Sequence, residues 1–408
     1  MMLKRLNNLG PGLIVSAAFI GPGTVTAASI AGANYGFALL WAIVFSTIAT
    51  IILQEMSGRL GLVTRQGLGE ALRATESPIL RLLAIILVIA AILFGNTAFE
   101  TGNITGAAIG LETLGDISFQ IWAAIIGVLA FLLLAFGAYN LIEKVLIVTV
   151  SLMGVMFLLT AIVAHPDIGA LLKGMVFPSL PVGSLLTVIA LIGTTIVPYN
   201  LFLHSSSVQQ KWPETVPTEV AVAQSRFDTI ISISLGGLIT LAIATTSAAA
   251  FATQGMTISN ARTMAQQLEP LLGSAAQYCF GIGLFAAGLS STITAPLATA
   301  YAICGALGWR ANFHNSRFRT IWILVLVIGT VLAITGKSPL ESILFAQAAN
   351  GLLLPVVATF LLIVINQADL LGNFRNRASA NILGIGVVLI ATTLGIFQIL
   401  KAIGVIAI

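Results

Sequence analysis

The feature that most constrains this chain is a succession of eleven apolar runs, each long enough to cross the roughly 30 Å hydrocarbon core of a bilayer. They lie near 12–37, 38–58, 79–110, 120–140, 143–164, 183–208, 227–252, 274–305, 320–336, 341–366 and 381–406. Only 8% of the residues are charged, against roughly a quarter in soluble domains. A lipid bilayer is therefore the solvent for most of this surface. Backbone groups in lipid must be hydrogen-bonded internally, which admits helices or closed barrels. The alternating ten-residue pattern of barrel strands is absent. The fold expected is an all-α integral membrane protein of about 11 transmembrane helices.

Charge sets the expected orientation. With the amino terminus inside, only Lys173, Arg262, Lys337 and Lys401 of the 18 Lys and Arg residues fall on the far side. That bias predicts a cytoplasmic amino terminus, an extracytoplasmic carboxyl terminus and an odd number of spans. The net charge of +4 is spread over many short loops, so no nucleic-acid partner is expected. Cys279 and Cys304 fall in one predicted helix, roughly 37 Å apart at 1.5 Å per residue, too far for a disulfide. The basic start and first apolar stretch imitate a signal peptide, but the Pro-Gly interruption and the later spans predict a retained helix. Compact loops and the lack of a targeting tail suggest a multi-pass protein of a bacterial plasma (inner) membrane.

Two of the runs are interrupted in mid-span. The first holds Gly21-Pro22-Gly23-Thr24, and the sixth holds Gly193-Thr194-Thr195-Ile196-Val197-Pro198-Tyr199-Asn200. Proline removes a backbone donor and clashes with the preceding turn, while glycine tolerates unusual dihedrals. One such site would be an ordinary kink. Two, five helices apart in halves of opposite orientation, are the pattern of an inverted-repeat transporter with its binding site between broken helices 1 and 6. The chain then reads as one domain, 1–408, with a 5+5 inverted repeat of the LeuT type. Repeat one covers about 12–164, repeat two about 183–366, and an extra helix about 381–406. No phosphate-binding loop, metalloprotease motif or nucleophilic triad appears, so neither an ATP-driven pump nor an enzyme is expected. The ends are too short to suggest the soluble extension of a sensor.

These motifs resemble the Nramp family of divalent-metal transporters over nearly the whole chain. The resemblance runs through Gly21–Ala27, Tyr35-Gly36, Leu40-Trp41, Gly193–Ser205, Arg226–Thr229, Gly288–Thr294, Gln347 and Leu354-Pro355. It departs from the family where the chemistry lies. The family's first-helix motif is Asp-Pro-Gly-Asn, whose Asp and Asn bind metal; here those positions are Gly21 and Thr24. Its sixth-helix Met-Pro-His is Val197-Pro198-Tyr199. Gln347 matches a retained ligand position, and Glu100 and Asn103 stand where the family carries an Asp and a Glu on its proton route. The chain thus reads as a divergent Nramp-related branch lacking the metal-binding Asp and Met.

What remains is a neutral substrate set of Gly21, Gly23, Thr24, Thr194, Thr195, Val197, Tyr199, Asn200 and Gln347. The outer half-helices are expected to begin near Gly23 and Tyr199, presenting unpaired N–H groups and partial positive charge. Helix N-termini of this kind bind anions, and Thr, Tyr, Asn and Gln side chains can donate to an oxyanion. The leading expectation is therefore a small anion such as bicarbonate. The alternative is a divalent cation, Mg²⁺ or Mn²⁺, carried in the Nramp manner with proton coupling. No cofactor is expected. A coupling Na⁺ has candidates in Ser290, Ser291 and Thr292, with carbonyls near Ala18 and Gly21; close packing of small hydroxyl residues is the commoner use of such a run. Glu100 and His204 are proton-relay candidates, because ionisable groups within a span are usually functional. Arg226 and Asp228 read as interfacial anchors or a gate ion pair. The charge bias is testable: in a variant with Cys279 replaced by Ser, an impermeant maleimide added to intact cells is expected to label R262C and not R226C.

Overall fold

The computed structural model describes residues 10–73, 78–136, 139–251, 258, 260–310, 312–313, 315–336 and 338–402. Among them every regular element is a helix. The first span is split into α1 (Pro11–Phe19) and α2 (Pro22–Tyr35). Then come α3 (Leu40–Thr64), the short α4 (Leu68–Arg73), α5 (Pro78–Glu112), α6 (Phe119–Phe136), α7 (Tyr139–Val163) and α8 (Ile168–Val176). The sixth span is split into α9 (Leu185–Thr195) and α10 (Pro198–Lys211). The remainder is α11 (Thr218–Phe251), the short α12 (Ala261–Ala265) and α13 (Glu269–Leu272), α14 (Ala276–Leu307), α15 (Ser316–Thr335), α16 (Pro339–Ile365), α17 (Ala368–Leu371) and α18 (Ala378–Ala402). Nine stretches among the described residues are long and apolar enough to span a membrane as single units. The first span is divided into two short halves, and α7 carries the apolar helical stretch Ser151–Val163. With those two, the eleven expected spans are in place.

Proline ends and restarts both broken helices by one device. A residue before proline is pushed out of the α region. Gly21 (φ −112, ψ −173) and Val197 (φ −81, ψ 119) are both extended, and each precedes a proline at the first position of the next half-helix. There the missing N–H costs nothing, because the first turn has no partner for it.

The surface is inverted relative to a soluble protein. Large apolar side chains such as Phe94, Phe136 and Ile162 face outward, while Glu100, Asn200, His204 and Gln347 have no exposure. Such an exterior fits lipid and not water. Inside, α5 is the hub, packed against α6, α14, α15 and α16. Small residues let backbones approach where lipid offers no hydrophobic drive. Gly102, Gly106 and Gly110 do this toward three neighbours: Ala346 of α16, Pro22 of α2 and the Gly281 carbonyl of α14.

The sixth span runs opposite to the first. α9 packs beside α2, and α10 beside α1. The half-helix beginning at Pro198 therefore lies at the α1 end, and is not an outer half-helix as expected from sequence. Its direction follows from the four spans between the two broken ones, an even number that leaves the sixth span antiparallel to the first. Cys279 and Cys304 are both free.

A side chain at position 106 would fall on the Pro22 ring. G106V is expected to cost about 1–3 kcal/mol by overpacking, read as a lower Tm in detergent, whereas a valine at the open Gly386 site should leave Tm unchanged.

Candidate ion-binding site

The two breaks meet at one point. Thr24, in the first turn of α2, and Thr194, at the end of α9, place their hydroxyl oxygens 2.7 Å apart. Thr24 also donates to the Phe19 carbonyl, which accepts the Gly21 N–H (2.8 Å) as well, where α1 stops. With that proton committed, Thr194 is the donor of the pair. Thr195 spends its own proton on the Leu191 carbonyl, 3.0 Å away. All three hydroxyls therefore direct their protons at oxygen atoms within the protein. The sequence assigned them to donate to a bound anion, and the folded chain uses those donors up. What the Thr24–Thr194 pair leaves free are lone pairs.

The unpaired polar groups lie around this pair. The side-chain nitrogen and oxygen of both Asn200 and Gln347 are buried without a hydrogen-bond partner. Buried polar groups are nearly always paired, so such a cluster marks the place of a ligand or ordered water. Gln347 reaches the site because position 23 is glycine: a Cβ there would collide with the Gln347 amide. Gly21 is equally confined, since its Cβ would stand 2.8 Å from Ser291 Oγ and 3.9 Å from Asn103 Oδ1. Val197 supplies backbone, and its carbonyl accepts from the Asn200 N–H at 3.1 Å. Tyr199 packs edge-on against Phe99, with ring centroids 5.6 Å apart, within electrostatic reach of Glu100.

The remaining candidates divide among interfaces. Ser291 Oγ lies 3.4 Å from the Ala18 carbonyl, so Ala18, Gly21 and Ser291 do come together. Thr292, one residue on, is turned away from that contact, and the Ser290 carbonyl accepts from Thr294 within α14. Glu100 lies 3.5 Å from the Asn103 amide and against Gly329 of α15. His204 belongs elsewhere, with Nδ1 2.9 Å from Gln54 Oε1 of α3. The two proton-relay candidates thus sit in separate helix interfaces. Asn350, one turn beyond Gln347 and with both amide atoms unpaired, was not among the sequence candidates. Its spacing of three from Gln347 on one helix was the available signal.

Both ends of the site are closed. At the α1 end, Asp228 accepts from the Gly10 N–H (3.1 Å) and the Gly12 N–H (2.7 Å), and Arg226 pairs with Glu55 at 2.8 Å. Arg226 and Asp228 therefore tie α11 to two other helices and are not a pair of their own. At the α2 end, the Gln267 amide donates to Ser29 Oγ (2.9 Å), and Ser247 donates to the Ser29 carbonyl (2.5 Å). Thr24, Thr194, Tyr199, Asn200 and Gln347 are wholly buried.

Two antiparallel membrane helices, broken side by side around occluded polar groups, define a secondary transporter of the broken-helix class. The chain belongs to the Nramp family: the family model described as natural resistance-associated macrophage protein-like matches residues 12–401. It is similar to the divalent metal cation transporter MntH of Yersinia pestis (strain Pestoides F), 29% identical over 405 residues, covering 97% of this chain and 95% of that one. The MntH of Klebsiella pneumoniae (strain 342) is 29% identical over 398 residues, covering 96% and 93%. Among solved structures, the Eremococcus coleocola manganese transporter superposes with a TM-score of 0.77 at 25% identity, over 97% of this chain and 87% of that one. MhsT, solved with L-phenylalanine, shares the fold at a TM-score of 0.58 and 17% identity, covering 96% and 98%.

Two threonine variants separate the roles of these hydroxyls. T24V leaves the buried Thr194 hydroxyl without its acceptor, while the Phe19 carbonyl keeps the Gly21 N–H at 2.8 Å, and is expected to cost about 1–3 kcal/mol. T195V removes a bond made within its own helix turn and should cost less than about 1 kcal/mol. Detergent melting curves compare them directly.

Proposed function

We propose that this protein carries a hard divalent cation, Mg²⁺ ahead of Mn²⁺, across a bacterial plasma membrane by alternating access about the two breaks. The observation that carries this reading is the direction of the hydroxyl protons. Thr24, Thr194 and Thr195 donate within the protein, and the Thr24–Thr194 pair offers oxygen lone pairs at the point where the breaks meet. The carbonyl oxygens of Asn200 and Gln347 extend an all-oxygen donor set. Mg²⁺ dehydrates reluctantly and keeps several waters, so neutral oxygens suit it as an outer cradle. Val197 offers no sulfur, which removes the ligand type that favours softer metals. The nearby buried carboxylate is Glu100, beside Asn103 and Tyr199. Relatives described as divalent metal cation transporters support the same cargo class.

A second reading has its own observation. No carboxylate occupies the first break, and α2 and α10 begin at the two breaks without a side-chain cap on their first turns. Bicarbonate, with Na⁺ as the symported ion, fits helix N-termini that lack a neighbouring anionic side chain.

Proteoliposomes decide between them. Mg²⁺ and Mn²⁺ uptake is expected, with Mg²⁺ retained in competition, and Q347A should lower it at least about tenfold if one ligand contact is lost. Bicarbonate-dependent flux without divalent uptake would overturn the cation reading and establish the second.

A further inference from the structure

The unpaired oxygens near the breaks do not all face the cargo position. Three of them, Glu100 Oε1 and Asn103 Oδ1 of α5 and Thr292 Oγ1 of α14, are buried without a partner on two helices packed against each other. Two contacts fix the register of that interface. Gly288 sits on Ala107, where a Cβ would stand 2.8 Å from the Ala107 Cα, and Asn96 donates to Thr299 Oγ1 at 2.5 Å. The interval from 96 to 107 equals that from 288 to 299, and the helices are antiparallel, so Asn103 stands level with Thr292 and Glu100 one turn away. Asn96, Glu100, Asn103 and Ala107 share one stripe of α5 by their spacing, as Gly288, Thr292 and Thr299 share one of α14. The first break forms the third side, since Asn103 Oδ1 lies 3.9 Å from the Cβ position of Gly21. Gly329 closes the fourth, where a Cβ would stand 2.6 Å from Glu100 Cγ.

This cluster contains one carboxyl group and no cationic side chain paired with it. The ion pairs among the described residues join Glu55 to Arg59 and Arg226, well away from Glu100. We propose that Glu100, Asn103 and Thr292 bind a monovalent cation, Na⁺ by the chemistry of its ligands, against the break in the first span. A single carboxylate balances one positive charge in a low-dielectric site. Amide and hydroxyl oxygens are hard ligands suited to an alkali cation. The site adjoins the Ala18–Gly21–Ser291 contact through Gly21. It rests on the transporter reading only in that the bound ion would be the coupling ion.

The test is ion binding by the purified full-length protein in detergent, with no cargo present. Na⁺ replacing choline at constant ionic strength is expected to raise Tm, and ²²Na⁺ binding should saturate. E100Q should abolish both responses, and T292V should weaken apparent affinity about tenfold for one lost neutral ligand. The proposal is overturned if the wild-type protein shows no Na⁺-specific response, or if E100Q and T292V retain it while S291A loses it. Because no cargo is needed, a negative Mg²⁺ or bicarbonate flux leaves this result standing, and the two failures are told apart.

Discussion

Everything at the centre of this molecule depends on interrupting two helices where water cannot repair the interruption. Each break leaves carbonyls at the end of one half and N–H groups at the start of the next. In lipid these would be prohibitively costly, so they occur only where protein encloses them. Here the enclosure comes from α5, α14 and α16, which approach closely because Gly102, Gly106 and Gly110 carry no side chain. Thr24 then satisfies Phe19, Thr194 satisfies Thr24, and the breaks become one connected structure.

That connection sets the polarity of the site. A hydroxyl is donor and acceptor at once, and its residue type does not say which face it shows a ligand. Once the breaks claim the threonine protons, the pair presents oxygen lone pairs. The positive N-terminal ends of α2 and α10 remain, so the site combines acceptor groups with a field that favours anions. The buried carboxyl group of Glu100 lies close enough to oppose that field.

Most of the architecture was legible in the sequence. The runs near 12–37 and 183–208 split where Pro22 and Pro198 predicted, because proline acts locally and needs no tertiary partner. The candidate substrate residues also proved to be neighbours: Gln347 covers Gly23, and Thr24 meets Thr194. Hydroxyl direction, the placing of Thr292 on the α5 side, and the unpaired Asn350 were less visible. Each depends on which helix lies opposite, and a hydropathy pattern does not encode that.

The sequence by itself determined a polytopic helical protein with two proline-broken spans and a polar set lacking the family's usual Asp and Met. These follow from chain-local properties: apolar length, the geometry of proline, and residue identity. Only the tertiary structure decided that the half-helix after Pro198 shares an end with α1, that the threonine protons are spent inside the protein, and that Glu100 and His204 occupy different interfaces. Those are consequences of antiparallel packing around α5, where contacts between residues hundreds of positions apart choose the partner of every polar atom.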